Sequence, residues 1–465
     1  MIPLAIKEVM ESTNGRFLYG SPDIKINGIS IDSRTVRSGD LFIPLRGGTD
    51  GHSYIADAIK AGAYGFLVER RIVEKGEFSV PDGTLFSIEV EDSLKALQAI
   101  AAYYRKKLSA KVIGVTGSTG KTTTKDMLRC ILARKMQVVS TAKNYNNEIG
   151  VPLTILQADH DTSALVVEMA MRGPGQIKEL AEIAAPDLGV VTNIGQAHIE
   201  LLGSEEMIAQ AKSELIAAIP PEGTVVLNAD DIWTPNIAGF ASARIFTYGI
   251  ADGDIRGSEI DIDELGRAIF RLTVGSKSSH VVRLAVPGKH NVYNALAAAA
   301  VAIKMGISID DIRSALAECR PSAMRMEVFS TDDNVLILND AYNANPASMQ
   351  AALSTLMDVD TKGRRIAVLG DMLELGQVSG EAHTQIGEVV ASLGVNVLIT
   401  VGKESLLMAE SAVRAGMNAK AVITCPDSVT AAKILKQLVT HGDVVLVKAS
   451  RGVGLEVVVE ALVKI

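Results

Sequence analysis

A glycine-containing segment over residues 111–124, KVIGVTGSTGKTTT, carries residue types and spacings that bind phosphate. The apolar run Val112–Val115 predicts a buried strand, and apolar residues at helical spacing after the segment predict a helix. Glycines let backbone N–H groups approach an anion, a helix N-terminus adds positive potential, and Lys121 can reach the β- and γ-phosphates. Thr122 is placed to offer its hydroxyl to Mg²⁺. The segment therefore predicts a nucleoside triphosphate site, although Val115 stands where the common pattern has its first glycine.

Three titratable side chains follow this segment at positions that could serve the same chemistry. Glu168 ends the predicted strand Ala164–Val167, and a carboxylate there suits Mg²⁺, which prefers oxygen ligands. His198 follows another predicted strand, and Lys212 lies fourteen residues later on a helix predicted over 205–219. The alternative for Glu168 is a carboxylate that caps a helix or pairs with a cation. A lone histidine is more often structural, and the lysine has the character of a solvated residue.

Composition is typical of a globular protein with several domains. The 465 residues, 48% of them hydrophobic, are enough for about two to four domains with separate cores. The net charge of −8 argues against a nucleic-acid partner, because no large basic field is present to neutralise phosphates. The positive groups that bind a nucleotide must therefore be local.

Apolar runs and cysteines predict the location of the protein. The longest apolar run, Ala295–Ile303, is too short to span a bilayer, so no integral membrane segment is expected. The N-terminus has Lys7 and Glu8 and lacks a signal-type apolar core, which favours the cytoplasm. The cysteines are far apart and lack zinc-ligand spacing, which favours a reducing compartment; they are Cys130, Cys319 and Cys425.

The alternation of apolar strands and amphipathic helices predicts an α/β fold of three domains, over 1–109, 110–321 and 322–465. The first is a small α/β domain. The second opens with the phosphate-binding segment and has a mostly parallel sheet, followed by antiparallel strands over 243–286. The third has the pattern of a doubly wound, Rossmann-like domain, whose ligands lie beyond the C-terminal ends of its strands. The residues at those ends are Asp340, Asp371, Gly402 and Lys448.

The sequence resembles the Mur ligases of bacterial cell-wall synthesis over essentially its whole length. The resemblance rests on the loop Thr116–Thr123, with Glu168, His198 and Lys212 at these intervals. It implies a nucleotide-sugar domain, a central P-loop ATPase domain and a C-terminal Rossmann-like domain, in that order. Three N-terminal runs are similar to the members that add the third residue and the final dipeptide: DSR over 32–34, GDLF over 39–42 and DGH over 50–52.

Three longer segments resemble the members that add the final dipeptide. They are NYNNEIGVP over 144–152, NDAYNANP over 339–346 and LGDMLELG over 369–376. The string Asp-Asn-Pro-Arg, usual in the diaminopimelate-adding enzyme, is absent. Two positions depart from the family by small-for-small changes, Ala170 and Ala449, where the family often has glycine.

The resemblance also implies a role for each matching residue. ATP phosphates would be held by Gly117, Ser118, Thr119, Gly120, Lys121, Thr122 and Thr123. Mg²⁺ would be held by Thr122, Glu168, His198 and Lys212. The rest of ATP would meet Asn291 at the adenine, Asn294 as a secondary contact, and Arg325 and Asp340 at the γ-phosphate and ribose. The UDP-sugar peptide and the dipeptide would be bound by Ser33, Arg34, Asp50, His52, Asn144, Asn147, Tyr342, Asn343 and Asn345.

The residues implied in catalysis are Lys121, Glu168, His198, Lys212 and Arg325. Residue type alone leaves other roles open for some of these positions. Asn291 and Asn294 could cap the alanine-rich helix that they begin, and Arg325 could be a surface residue.

The implied reaction is ATP-dependent amide formation in peptidoglycan precursor synthesis. A carboxylate is a poor electrophile, so the γ-phosphoryl group would first pass to the terminal carboxylate of a UDP-N-acetylmuramoyl-tripeptide. The amine of D-alanyl-D-alanine would then attack the acyl phosphate and release phosphate. Alternatives are a diaminopimelate- or lysine-adding Mur ligase, a folylpolyglutamate synthase, and a P-loop switch or motor. The absence of an Asn-Lys-x-Asp string disfavours the switch.

Lys212 occupies the position where several Mur ligases carry a carbamylated lysine. Mg²⁺ would repel an ammonium, whereas CO₂ addition to the neutral amine gives an anion that can bind the metal. The alternative is a lysine that pairs with Glu168 or with a phosphate. The sequence predicts neither the third residue of the peptide nor the oligomeric state.

Overall fold

The structure, a computed structural model, describes residues 1–76, 79–195, 199–275 and 278–463. The fold is α/β, as predicted. Contacts divide the chain into two compact units. The first comprises 1–114, 136–171 and 176–188, and the second comprises 115–135, 172–175 and 189–465.

The N-terminal part of the chain is built on a mostly parallel sheet. Strands β4 to β7 pair in parallel, and β2 adds an antiparallel edge to β7, giving the order β2-β7-β6-β5-β4. The elements are β1 Leu4–Ala5, α1 Ile6–Thr13, β2 Arg16–Gly20, β3 Lys25–Ile26, β4 Gly28–Ser30, β5 Asp40–Phe42, α2 Ile55–Lys60, β6 Gly65–Glu69, α3 Arg70–Glu74, β7 Phe86–Val90 and α4 Ser93–Arg105.

The middle part contributes the strands of a sheet with the order β16-β15-β14-β13-β12-β11-β8-β10-β9. Its strands are β8 Lys111–Thr116, β9 Val138–Ser140, β10 Ala164–Glu168, β11 Leu188–Val191, β12 Thr224–Asn228, β13 Arg244–Gly249, β14 Ile255–Ile262, β15 Arg267–Val274 and β16 Ser278–Pro287. Its helices are α5 Lys121–Leu132, α6 Gly150–Ile155, α7 Gln176–Ala184, α8 Ile199–Leu202, α9 Glu205–Ala218, α10 Thr234–Ala238, α11 Asn291–Lys304 and α12 Ile309–Glu318.

The antiparallel strands predicted over 243–286 are only partly observed. Strands β14, β15 and β16 do pair in antiparallel fashion. The prediction was wrong for β13, which pairs in parallel with both β12 and β14. Strand β13 follows β12 through the short helix α10, and such a crossover connection returns the chain in the same direction.

The C-terminal part is the predicted doubly wound domain. Its parallel strands have the order β18-β22-β19-β20-β21, and β17 pairs with β18 as an antiparallel edge. The elements are β17 Glu327–Ser330, β18 Leu336–Asn339, α13 Pro346–Asp358, β19 Arg365–Gly370, α14 Ser379–Ser392, β20 Val397–Val401, α15 Leu406–Arg414, β21 Val422–Cys425, α16 Ser428–Leu438, β22 Val444–Lys448 and α17 Glu456–Leu462.

Two inner strands of the C-terminal sheet are buried along their whole length. All five residues of β20 are buried, as are all five of β22. Such continuous apolar runs are what a parallel sheet between helices requires. Among the described helices, none has the length and apolar character to cross a bilayer.

Candidate active site

The phosphate loop, residues 117–123, is held in a conformation that requires glycine at two positions. Gly117 has φ +146° and Gly120 has φ +78°. A Cβ added at Gly117 would lie 1.8 Å from Thr192 Oγ1, and one at Gly120 would lie 2.2 Å from Asn294 Oδ1. The loop backbone also donates from Ser118 N to the Asn193 carbonyl oxygen over 2.9 Å. The predicted strand, glycine turn and helix are therefore observed as β8, the loop and α5, and phosphate binding by the loop stays a prediction.

Two lysines lie close together beside this loop. Lys121 Nζ donates to the Gly117 carbonyl oxygen at 2.7 Å and to the Ser118 carbonyl oxygen at 3.2 Å. Lys212, on α9, is only 2% exposed. Burial, reinforced by the charge of Lys121, lowers the pKa of Lys212 well below its ordinary value. Lys212 is therefore a buried amine that favours the neutral form, whereas a solvated lysine was the expectation from residue type alone.

Arg325 approaches the start of α5 from the segment that follows α12. Its Nη2 donates to Thr122 Oγ1 at 3.4 Å, and its guanidinium carbon lies 4.0 Å from the centroid of the Tyr342 ring. This ring position is that of a cation–π contact. Arg325 Nε is buried and has no hydrogen-bond partner among the described residues. The guanidinium therefore offers a free donor that a phosphate oxygen could use.

Glu168, the last residue of β10, has one hydrogen-bonded and one unpartnered carboxylate oxygen among the described residues. Its Oε1 accepts from Asn146 Nδ2 at 2.7 Å, and its backbone N donates to Thr141 Oγ1 at 2.9 Å. Its Oε2 is buried and has no partner within the described part of the chain. A buried carboxylate oxygen without a donor is costly unless a cation or a proton completes it.

Asn291 and Asn294, at the start of α11, are buried and bonded inside the protein. Asn291 Nδ2 donates to the Pro287 carbonyl oxygen at 2.6 Å, and Asn294 Nδ2 donates to Asn291 Oδ1 at 2.8 Å. Thr124 Oγ1 donates to Asn294 Oδ1 at 3.3 Å. The bond from Thr124 ties α11 to the phosphate-loop helix α5. The adenine contact of Asn291 stays a prediction.

Asp340 and Lys448 meet at the C-terminal ends of β18 and β22, where the sequence placed them. Lys448 Nζ donates to Asp340 Oδ2 at 2.5 Å and to the Asn343 carbonyl oxygen at 2.9 Å. Asp340 Oδ1 accepts from Met326 N at 3.1 Å. Burial lowers the pKa of Lys448, and Asp340 opposes that shift. Asp371, which the sequence placed at the same edge of this sheet, accepts a hydrogen bond at Oδ1 from the backbone N–H of Ser405 over 2.7 Å.

The N-terminal residues Asp50 and His52 belong to an ionic network. His52 Nδ1 lies 2.6 Å from Asp50 Oδ1, and its Nε2 accepts from Glu69 N at 3.1 Å. Arg71 Nη2 donates to Asp50 Oδ2 at 2.5 Å. Both ring nitrogens of His52 are thus engaged within the protein, which gives His52 a role in holding the loop.

Of the predicted substrate residues Ser33 and Arg34, the arginine is open to solvent. The Arg34 side chain is 85% exposed and pairs with Asp32 at 2.7 Å. The hydrogen bond from Arg34 lowers the pKa of Asp32 to about 2. Ser33 is half-buried. A ligand can reach the guanidinium of Arg34 directly.

Two predicted substrate residues cap helices. Asn147 Oδ1 accepts from Gly150 N at 3.0 Å, at the start of α6. Asn345 Oδ1 accepts from Ser348 N at 2.8 Å and caps α13, which begins with proline. Asparagine before a helix, with proline at its first position, was a capping signal that sequence reasoning could have used. Asn144 and Asn343 are exposed.

Sequence reasoning missed one carboxylate near α11 entirely. Asp230 accepts from Ile250 N at 2.6 Å and from the Tyr293 hydroxyl at 2.9 Å. These bonds join the loop after β12 to the loop after β13 and to α11. The available signal was a pair of aspartates directly after a strand, a frequent location for ligand-side groups.

Two further expectations have different outcomes. Cys130 and Cys319 are disulfide-bonded with a Cα–Cα distance of 5.8 Å, whereas separated thiols were expected. The two cysteines are 189 residues apart in the sequence, so no local pattern indicates that they lie close together. His198 lies outside the described residues.

Three models of the Mur ligase family match consecutive parts of the chain. The Mur ligase family catalytic domain matches residues 25–105, the Mur ligase middle domain matches 115–302, and the glutamate ligase domain matches 324–451. The order of these matches is the order of the three predicted domains.

Full-length relatives carry one name. The UDP-N-acetylmuramoyl-tripeptide–D-alanyl-D-alanine ligase of Synechocystis is 40% identical and covers 95% of this chain and 93% of its own. The ligase of the same name from Bacillus subtilis is 35% identical and covers 100% and 99%.

Solved structures agree with these relatives. MurF from Acinetobacter baumannii superposes with a TM-score of 0.88 at 31% identity, covering 99% of this chain and 98% of its own. MurF ligase from Thermotoga maritima, in complex with ADP, gives a TM-score of 0.81 at 31% identity, with coverage of 94% and 96%. Family models, relatives and structures thus agree with the phosphate loop and its surroundings: this chain belongs to the Mur ligase family.

Proposed function

We propose that this protein is the ATP-dependent ligase that joins D-alanyl-D-alanine to the terminal carboxylate of a UDP-N-acetylmuramoyl-tripeptide in peptidoglycan precursor synthesis. The observation that carries the proposal is the placement of two basic side chains at the phosphate loop, Lys121 and Arg325. The γ-phosphate and the substrate carboxylate are both anions, so their approach requires such groups. The relatives of matching length are named for this reaction.

The chain's own residues position the reactants in both steps. Backbone N–H groups of the phosphate loop and Lys121 hold the phosphates of ATP, and Arg325 offers Nε to the transferred phosphoryl group. The carboxylate attacks the γ-phosphorus, and ADP leaves. The dipeptide amine then attacks the acyl phosphate carbon, and phosphate leaves. Alignment of this kind can supply ~7–11 kcal/mol of the barrier.

The donor set fits Mg²⁺. The buried Oε2 of Glu168 lacks a partner among the described residues, and Thr122, the second residue of α5, carries a hydroxyl oxygen. Mg²⁺ prefers oxygen ligands, which a carboxylate and a hydroxyl provide. Thr122 and Glu168 would hold the ion, together with His198 and carbamylated Lys212. When bound, Mg²⁺ supplies charge neutralisation at the β- and γ-phosphates.

Carbamylation of Lys212 is supported by its environment. The reaction needs a neutral amine, and burial favours that form. Protein incubated with ¹³C-labelled bicarbonate should show a carbamate carbonyl resonance that Lys212→Met lacks. A spectrum without that resonance, from protein with an otherwise intact fold, would remove the modification from the proposal.

We also propose the domain limits 1–109, 110–321 and 322–465, and a cytoplasmic location. The first domain would bind the UDP-sugar peptide near Ser33 and Arg34, whose guanidinium is exposed for a phosphate. The third would present Arg325, Asp340, Tyr342 and Asn343 to ATP and the dipeptide.

The deciding experiment is mass analysis of the products. The protein is incubated with ATP, Mg²⁺ and a UDP-N-acetylmuramoyl-tripeptide ending in lysine or diaminopimelate. Each reaction receives D-alanyl-D-alanine or, as the stereochemical control, L-alanyl-L-alanine. Separate reactions receive free diaminopimelate or free lysine, with a UDP-N-acetylmuramoyl-dipeptide in place of the tripeptide. We expect the pentapeptide product, ADP and phosphate with D-alanyl-D-alanine alone. Product with a free amino acid instead would assign an earlier ligase, and hydrolysis without any amide would support an NTPase switch.

A further inference from the structure

The segment between α12 and β17 runs along one face of the phosphate-loop helix α5. Its contacts occur at helix positions spaced by four residues, which lie on the same face. From the C-terminal end of α5 to its start, the contacts are the Cys319–Cys130 disulfide, Ser322 N donating to Asp126 Oδ2 at 3.0 Å, and Arg325 Nη2 donating to Thr122 Oγ1 at 3.4 Å. The segment is therefore attached antiparallel to the helix.

This segment has a backbone that needs external support. Met324 has φ +59° and Met326 has φ +51°, both in the left-handed region that bulky residues rarely adopt. They flank Arg325 on either side. Contacts from residues other than Met324 and Met326 must therefore stabilise this backbone conformation, which places the guanidinium of Arg325 next to Thr122.

Asp126 is placed to provide such support. It is 4% exposed and pairs with Lys125 Nζ at 2.9 Å. Its second oxygen accepts the Ser322 N–H, three residues before Arg325. Removing the carboxylate would leave that N–H without its acceptor and release the centre of the segment.

The cysteine pair provides a second attachment at the other end. Cys319 follows α12 directly and is buried, whereas Cys130 is half-buried on α5. The Cα–Cα distance of 5.8 Å lies within the usual range for a disulfide. A bond in a reducing compartment is typically reversible, so this attachment would depend on redox state.

We propose that Asp126 is a positioning residue for Arg325, and that the Cys130–Cys319 bond is a redox-dependent second attachment of the same segment. A low-molecular-weight disulfide is the oxidant. The Cys130 thiolate attacks it and releases one thiolate, and the Cys319 thiolate then attacks Cys130 Sγ and releases the second. The protein loses two S–H bonds and gains one S–S bond, while the oxidant becomes two thiols. The effect on catalysis rests on the proposed role of Arg325 at the γ-phosphate.

The test compares Asp126→Ala with Asp310→Ala, an aspartate on α12 whose side chain is 86% exposed. Under a thiol reductant, we expect Asp126→Ala to lower kcat by between about tenfold and a hundredfold, as misplacement of a reacting group does, with a smaller change in KM for ATP. Asp310→Ala should behave as the unsubstituted protein does. Asp126→Asn keeps a carbonyl acceptor for Ser322 N–H and should retain most of kcat.

Oxidation then supplies the rescue. Oxidised glutathione should raise kcat of Asp126→Ala towards that of the unsubstituted protein, because the bond fastens the segment at Cys319. The double variant Asp126→Ala, Cys319→Ser should show no rescue, and Cys425→Ala in the Asp126→Ala background should still be rescued. Equal rates for reduced and oxidised Asp126→Ala would overturn the redox attachment, as would a digest of oxidised protein without the Cys130–Cys319 peptide.

Hydrogen exchange measures the attachment of the segment to α5 without relying on ligase activity. Peptides spanning 319–326 should exchange faster in reduced Asp126→Ala than in Asp310→Ala, and oxidation should slow them again. If no amide product forms with any substrate, the proposed function fails while the exchange result still decides the attachment. Unchanged exchange and unchanged kcat in a folded Asp126→Ala protein would refute the positioning role. If Asp126→Ala does not fold, Asp126→Gln, which displaces the acceptor, takes its place in each comparison.

Discussion

Lys121 shows what a single side chain contributes at the phosphate loop, since its ammonium group is held by the Gly117 and Ser118 carbonyl oxygens. Lys121→Ala removes the cation that the loop itself would place at the β- and γ-phosphates. We expect product formation to fall by about a hundredfold or more, the usual effect of losing one preorganised donor, with the melting temperature unchanged. Lys436→Ala, an exposed lysine on α16, is the control. Near-normal ADP formation by folded Lys121→Ala protein would contradict the assignment.

Lys212 gives a prediction about stability and pH. Burial depresses its folded-state pKa, so at a pH between that pKa and the ordinary one folding releases a proton that the unfolded chain binds. That cost grows as the pH falls from about 10 towards the folded pKa, at up to ~1.4 kcal/mol per pH unit. Lys212→Met avoids the cost. In CO₂-free buffer its stability advantage, measured by denaturant unfolding, should increase from pH 9 to pH 7. An advantage independent of pH would mean that the lysine stays charged in the folded protein.

The sequence identified Lys121 and Lys212 as candidate site residues, but it did not indicate which residues contact or surround them. Lys121 and Thr122 could be assigned because the loop is local, with strand, glycines and helix within a few turns of chain. The environment of Lys212 could not, because its burial depends on segments far away in sequence. The same limit explains why Asp230 and the Cys130–Cys319 pair were missed. Each acts through a contact that no local pattern encodes.

At the scale of elements, the turn between β8 and α5 requires glycine at position 120 for two reasons: its left-handed backbone conformation and the lack of room for a Cβ. Gly120 and Gly394 have similar φ values, +78° and +71°, but only Gly120 has a neighbour within reach of a Cβ, Asn294 Oδ1 at 2.2 Å. Both substitutions to alanine pay the left-handed cost of ~1–2 kcal/mol. Gly120→Ala should also weaken ATP binding strongly, measured by calorimetry, whereas Gly394→Ala should not. Adding Asn294→Ala should recover part of the affinity, and equal affinities for both alanine variants would contradict this account.

Element positions were largely predictable from apolar runs, and β20 over Val397–Val401 has the predicted limits. Buried parallel strands are continuous apolar segments, so their position is a local property. Strand pairing is not local. For this reason β13 was assigned the wrong direction. The capping bonds of Asn147 and Asn345 are local, by contrast, and the substrate roles of both residues stay predictions.

At the scale of the whole molecule, the proposed active site includes a residue from beyond the segment that matches the middle domain. Arg325 lies at the start of the segment that matches the glutamate ligase domain, 324–451, and it contacts Thr122 in the segment that matches the middle domain, 115–302. The sequence predicted that Arg325 acts at the γ-phosphate through its resemblance alone. The contact with Thr122 and the stacking on Tyr342 give that role a physical basis, because they direct a guanidinium with a free Nε towards the phosphate loop.

Arg325→Lys tests whether the third domain completes the site through geometry as well as charge. Lysine keeps the positive charge but loses the planar fork that can contact Thr122 and a phosphate together. We expect kcat to fall by about tenfold to a hundredfold while KM for ATP changes little, since the missing donor acts mainly as charge develops in the transition state. Arg414→Lys, an exposed arginine on α15, should leave both constants unchanged. A rise in KM with an unchanged kcat would instead mean that Arg325 binds the ground state of ATP, and that phosphoryl transfer is completed by the middle domain without it.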